Sequence, residues 1–181
     1  MITGGARSGK SALAEKMCRD TGKRVGYIAT AVVTDSDMQY RIQHHRSQRP
    51  KEWVTFEQYS NFSKLDRDKR FADCDVFALD CITTMITNLM IDSHIDFETC
   101  SMDQVQMLED RIKSETDNLI AVMRMHSKQL IIVTNEVGQG VVPSYRMGNL
   151  FRDISGRINA DIAKKADQVY CMISGLSLKL K

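Results

Sequence analysis

Eight residues near the start of the chain, Gly4-Gly5-Ala6-Arg7-Ser8-Gly9-Lys10-Ser11, fit the pattern G-x-x-x-x-G-K-[ST]. Glycines at these intervals let successive backbone amides converge on phosphate oxygens where a Cβ would obstruct them. In that frame Lys10 reaches the β- and γ-phosphates and the Ser11 hydroxyl ligates Mg²⁺. A helix beginning at the same point directs the positive end of its dipole at the anion. Two carboxylates could complete such a site. Asp80 closes the apolar run Val76-Phe77-Ala78-Leu79-Asp80 and reads as a Walker B residue holding Mg²⁺ directly or through water, the alternative being a cap for the next helix. Glu136, in Thr134-Asn135-Glu136-Val137-Gly138, follows another apolar run and would face the same edge. His44 and His45 are adjacent. On a helix His45 shares a face with Met38 and Ile42, and His44 points about 100° away, so the two cannot do the same job.

Positioning these groups requires a sheet whose strands all end on one side. Strands are expected at 24–30, 53–59, 76–80, 129–134 and 168–173, the apolar ones suited to a parallel interior. Only Met1, Ile2 and Thr3 precede the phosphate loop, so the first strand is short or the natural start lies upstream. Helix 1 runs from Lys10 to Arg19 with Leu13 and Met17 on one face and Gly22 as its stop. A helix from Thr34–Asp37 to Gln48 is stopped by Arg49-Pro50. Residues 61–69 read as a solvated helix anchored by Phe62, Leu65 and Phe71. Thr83 or Thr84 caps a helix through Ile91, and 92–100 is a loop. Residues 101–127 carry the stripe Val105, Leu108, Ile112, Leu119, Met123, broken by Thr116. The implied helix, up to about 40 Å long, exceeds the width of a small domain and could contact another subunit. Residues 144–166 form a further helix with Met147, Leu150, Phe151, Ile154, Ile158 and Ile162 inward and Gly156 allowing close approach. Its polar residues Arg152, Asp153 and Arg157 fit a salt-bridged surface or a functional role equally well. A turn at Ser174-Gly175 makes 168–181 an edge hairpin. Alternating strands and helices give an α/β architecture: a mainly parallel central sheet flanked by helices, with nucleotide at its carboxyl edge.

Composition narrows the function classes. The 181 residues, 43% apolar and 27% charged, suit one nucleotide-binding domain spanning 1–181. A net charge of +2, with both signs interspersed, argues against nucleic-acid binding and against a charged membrane surface. No apolar run reaches the length of a spanning helix and the sequence opens directly into the phosphate loop, so neither a spanning helix nor a signal peptide is expected. Five cysteines without a C-x-x-C disfavour a disulfide framework or zinc site and suit a reducing cytoplasm. A regulatory GTPase would add a strand ending in N-K-x-D, which this chain lacks, whereas a small-molecule kinase needs only the loop, Mg²⁺, an acidic group and a positioned acceptor.

Several further stretches recur together in one family: Tyr27-Ile28-Ala29-Thr30, Arg41-Ile42-Gln43-His44-His45-Arg46 with Arg49-Pro50, Asp80-Cys81-Ile82-Thr83, and Phe151-Arg152-Asp153-Ile154-Ser155-Gly156-Arg157-Ile158-Asn159. With the phosphate loop and residues 134–138, the chain resembles the bifunctional adenosylcobinamide kinase/adenosylcobinamide-phosphate guanylyltransferases of cobalamin biosynthesis. The resemblance spans essentially the whole chain and implies a P-loop NTPase fold of the RecA-like kind. It implies that ATP or GTP phosphorylates the corrinoid adenosylcobinamide, and that GMP from GTP is then passed to that phosphate through a guanylylated histidine, matched here by His45. Implied nucleotide contacts are Gly4 through Ser11, Ala29, Thr30 and Ala31, Arg46, Ser47, Gln48 and Arg49, Glu57 and Asp80. Glu57 suits guanine, because a carboxylate can accept from both N1–H and the exocyclic amine. Glu136 as general base for the kinase step is a reading from its position. A cytoplasmic homotrimer is the assembly the resemblance implies. The competing readings are a kinase without guanylyl transfer and a non-catalytic, nucleotide-dependent assembly protein.

Overall fold

The computed structural model describes residues 1–32, 40 and 49–181. The expected helix through Gln48, with His44 and His45, lies outside the described residues.

Seven strands form one sheet in the order β3-β2-β4-β5-β1-β6-β7. They are β1 (Ile2–Gly4), β2 (Val25–Ala29), β3 (Val54–Glu57), β4 (Val76–Asp80), β5 (Gln129–Val133), β6 (Tyr170–Ile173) and β7 (Leu176–Lys179). All neighbours pair in parallel except β6 and β7, which make the expected C-terminal hairpin. Strand β4 spans the expected residues, β2, β3, β5 and β6 are each shorter than expected, and the short first strand is only three residues long.

The helices are α1 (Lys10–Asp20), α2 (Ile82–Ile91), α3 (Met102–Met125) and α4 (Arg146–Lys165). Period-2 alternation divides their packing. Tyr27, Val76, Ala78, Ile2 and Val133 project to the α1 face, where they meet Cys18 and Ala14. Ile28, Phe77, Leu79 and Ile132 project to the other face, against Met85, Ile86, Leu108, Ile112, Ile154 and Ile158 of α2, α3 and α4. Among the described residues one helix therefore covers the first face and three cover the second.

Four expectations change. Residues 61–69 form no α-helix: two short 3-10 turns, Phe62–Arg67 and Lys69–Phe71, take its place. Burying Phe62, Leu65 and Phe71, spaced three and six apart, suits the three-residue period of that helix. Neither Thr83 nor Thr84 caps α2. The strand passes almost directly into the helix, so Cys81 occupies the cap, its thiol bonded to the Thr83 and Thr84 hydroxyls and not to a helix amide. Thr116 does not interrupt the stripe of α3: it is buried, and its hydroxyl donates to the Lys113 carbonyl one turn back. Close approach to α4 falls at Gly148, not Gly156. A Cβ on Gly148 would lie 2.8 Å from Pro143 and Tyr145, whereas one on Gly156 would meet nothing within 4 Å.

Candidate active site at the carboxyl edge

The phosphate loop begins with Gly4, whose φ of 143° and 2.4 Å approach of a virtual Cβ to the Met172 carbonyl leave no room for another residue. It ends at Gly9, the N-cap of α1, in the left-handed region with φ 97° and no side-chain cap. The first amides of α1 therefore have no side chain bonded back on them. Lys10 is buried, and its Nζ donates to the Gly5 carbonyl at 2.5 Å. Burial holds its ammonium below the ordinary lysine value, while the nearby charges of Cys81 and Asp80 act to raise it. Ser8 Oγ is buried without a partner among the described residues. These are the features of a cradle shaped for an anion.

Sheet register decides what reaches this cradle. Glu57, Ala29, Asp80 and Val133 stand opposite one another along the carboxyl ends of β3, β2, β4 and β5, and Val133 stands opposite Ile2 of β1. Asp80 is thus two strands from the loop's own strand, about 10 Å at ~4.8 Å per step, and Glu57 is four strands away, about 19 Å. Asp80 belongs to the phosphate end of the edge. Glu57 stands at the opposite end, beyond the reach of one side chain.

Asp80 does not cap α2. Its Oδ2 accepts from the Tyr27 hydroxyl at 2.7 Å, leaving Oδ1 outside that bond. Tyr27 and Asp80 share a face because Tyr27 stands opposite Ala78 and Asp80 lies two residues on. The Tyr27 ring stacks against Trp53, and the Arg49 guanidinium lies 3.5 Å above its centroid. Burial, then the Asp80 charge, pushes the phenol far above its usual value and keeps it a donor. This chain, Arg49 to Tyr27 to Asp80, joins the residue that follows the histidine segment to the acidic end of β4. A hydroxyl at Ser11 and a carboxylate oxygen at Asp80 are hard donors that fit Mg²⁺.

Thr30 is more structural than its motif implies. Its Oγ1 donates to the Cys81 carbonyl at 2.8 Å and accepts from the Cys81 amide at 2.9 Å, and its own carbonyl accepts from Asn88. Ala29 and Ala31 flank it at the edge, both partly exposed. The Glu136 amide donates to the Gly4 carbonyl at 3.0 Å, and its carboxylate accepts from the Gly138 amide at 2.8 Å. It therefore stands directly beside the loop. His45, Arg46, Ser47 and Gln48 lie outside the described residues.

Tyr27, Asn135 and Thr83 stand in the quoted motifs, but the sequence assigns none of them a place in the site. Asn135 donates to the Thr83 hydroxyl at 2.6 Å, tying the end of β5 to the first turn of α2. For Tyr27 a signal existed, since a phenol inside an apolar strand needs a partner. Of the polar residues on α4, Arg157 makes a bidentate bridge to Glu109 and Arg152 donates to the Gly138 carbonyl. The first is a helix-to-helix contact, and the second holds a loop of this edge.

A phosphate loop between strand and helix, with an acidic strand end two strands away on the same edge, defines a P-loop NTPase. The family model for cobinamide kinase / cobinamide phosphate guanyltransferase matches residues 1–180. The bifunctional adenosylcobalamin biosynthesis protein CobU of Escherichia coli K12 is 41% identical over 184 residues, covering 100% of this chain and 98% of that protein. CobU of Salmonella typhimurium LT2 is 41% identical, covering 100% and 98%. CobP of Pseudomonas aeruginosa PAO1, named in the same terms, is 34% identical, covering 100% and 96%. The chain belongs to the cobinamide kinase/cobinamide phosphate guanylyltransferase family and is a bifunctional enzyme of cobalamin biosynthesis. No described helix is long and apolar enough to cross a membrane.

Proposed function

We propose that one nucleotide-binding unit, residues 1–181, carries out both half-reactions on adenosylcobinamide at the carboxyl edge, with His45 as the covalent carrier of GMP. In the kinase step the amides of Gly5 to Gly9 and the Lys10 ammonium hold the triphosphate of ATP or GTP. The hydroxyl oxygen of the corrinoid's aminopropanol arm attacks the γ-phosphorus, its proton passes to Glu136, and the nucleoside diphosphate leaves. Glu136 suits this role because its amide is bonded to Gly4, so its carboxylate is carried beside the cradle. Ser11 and Asp80 would hold Mg²⁺, which supplies charge neutralisation on the phosphate oxygens.

In the transfer step a neutral imidazole nitrogen of His45 attacks the α-phosphorus of GTP, and the α–β bridging bond breaks to release pyrophosphate. A phosphate oxygen of adenosylcobinamide phosphate then attacks the same phosphorus, breaking the P–N bond and giving adenosylcobinamide-GDP. Glu57 would accept from guanine, and Arg46, Ser47, Gln48 and Arg49 would flank the nucleophile. The spread of Glu57 and Lys10 over four strand steps suits a ligand lying along the edge. A homotrimer in the cytoplasm is the expected assembly.

The observation that carries this reading is the Arg49–Tyr27–Asp80 chain, which ties the end of the histidine segment to the phosphate site. The test is incubation with α-labelled GTP and Mg²⁺ without corrinoid. Acid-labile, alkali-stable label should appear on the protein and vanish in His45→Ala. Undiminished label in that variant would remove His45 from the mechanism.

A further inference from the structure

We propose that the loop between β5 and α4, residues 137–145, is the seat of the corrin ring, with Val141 and Val142 as its contact surface. The proposal rests on the kinase and transferase reading above. Three side chains fix the loop's stem. Gly138 is held by Glu136 at its amide and by Arg152 at its carbonyl. The Pro143 carbonyl accepts from Asn149 at 2.9 Å, and Pro143 and the Tyr145 ring close over Gly148. Yet this anchored loop leaves Val141 96%, Val142 58% and Tyr145 60% exposed.

Single exposed apolar residues are ordinary. An adjacent valine pair on a loop anchored at both ends is not, since anchoring removes the freedom to fold the pair inward. Between Glu136 and Arg146 no residue is charged, in a chain that is 27% charged. The matching ligand is large, flat and apolar at its face, with neutral amides at its rim, which describes the corrin macrocycle of the family's substrate.

Reach supports the assignment. Glu136 is bonded to Gly4 and Gly138 to Glu136, and three residues of chain place Val141 within about 11 Å of Gly138. A ring too bulky to enter the phosphate cradle can lie on this loop while its arm delivers a hydroxyl to the γ-phosphorus. Of the exposed leucines of β7, Leu176 adjoins Gly175, whose amide donates to the Ser8 carbonyl, so Leu178, two residues further along the strand, is the control.

The experiment compares Val141→Ser/Val142→Ser, Val141→Lys and the control Leu178→Ser with the unaltered enzyme. Equilibrium dialysis of cobinamide gives its Kd, the kinase assay gives KM and kcat, corrinoid-free labelling by GTP reports the transferase nucleophile, and sedimentation reports assembly. The double variant should raise the Kd and KM for cobinamide about tenfold, and Val141→Lys should raise both, with kcat, labelling and sedimentation unchanged and Leu178→Ser silent. An unchanged cobinamide Kd overturns the proposal. So does lost labelling, which assigns the valines to the histidine segment, or a changed sedimentation coefficient, which assigns them to a second copy of the chain. Absence of labelling in the unaltered enzyme would count against the histidine mechanism and leave the dialysis result standing.

Discussion

The N-termini of α1 and α3 start with the same problem, several backbone amides with no carbonyl to receive them, and resolve it in opposite ways. At α3 the Ser101 hydroxyl accepts from the Gln104 amide, the Gln104 side chain accepts from the Ser101 amide, and Asp103 adds a negative charge to the first turn. At α1 the cap is Gly9 in the left-handed region, no side chain caps it and no acidic residue occupies the first turn. The α3 end is complete by itself, whereas the α1 end is complete only with an anion. A helix terminus that serves stability closes on its own residues, and one that serves binding leaves the amides to the ligand.

That contrast can be broken by substitution. The largest effect is expected from Lys10→Met, which removes the buried cation of the open end. Kinase turnover should fall by about 100-fold or more, in line with losing one donor at a charged transition state. Thermal unfolding of the ligand-free protein should not drop, because burial already works against the ammonium. A large loss of melting temperature with intact turnover would reverse the roles assigned to the two helix ends. Gly9→Ala comes next: a Cβ at φ 97°, 3.3 Å from the Met172 side chain, should cost about 1–2 kcal/mol and weaken nucleotide binding by titration calorimetry.

The same residue type placed at the closed end should do something different. Ser101→Ala should cost about 1 kcal/mol in denaturant unfolding while nucleotide affinity stays at its starting value. A shift in affinity would mean that the two ends are not independent. The smallest effect concerns the C-terminal half of α3, where Asp117 receives Lys165 and Lys113, and Lys165 also bonds Asp161. Burial opposes ionisation of Asp117, but hydrogen bonds from Lys165 and Lys113 outweigh it and hold its carboxyl below the ordinary value. Its contribution is present above the unfolded pKa of about 4 and is lost as pH falls through the lower folded pKa. Lys165, desolvated but raised by Asp117 and Asp161, contributes below its unfolded pKa of about 10.4 and loses that contribution as pH rises through the folded one. The groups are partly exposed, so Asp117→Asn should remove less than about 1 kcal/mol at neutral pH and flatten the acid limb of a stability profile.

Much of this was readable in one dimension. Apolar runs located the interior strands, and the glycine spacing located the cradle, because both depend on short-range geometry. The segment at 61–69 was misread because its buried residues are spaced by three and six, a period two helix types can satisfy until neighbours choose. The α2 cap was misread because Thr83 and Thr84 are good capping residues by type, but the end of β4 left only Cys81 in position. Tyr27 went unnoticed as a site residue because its partner lies 53 positions away. Only strand register makes them neighbours.

The order of residues in the chain settled the phosphate loop, the alternation of strand and helix, and the family, since each is encoded in local spacing. Tertiary structure alone decided that Asp80 is held by Tyr27, that Arg49 covers that ring, that Glu136 abuts Gly4, and that Val141 and Val142 stand exposed on an anchored loop. The physical reason is that sheet order and register bring distant segments to within hydrogen-bonding distance. No period within a single segment carries that information.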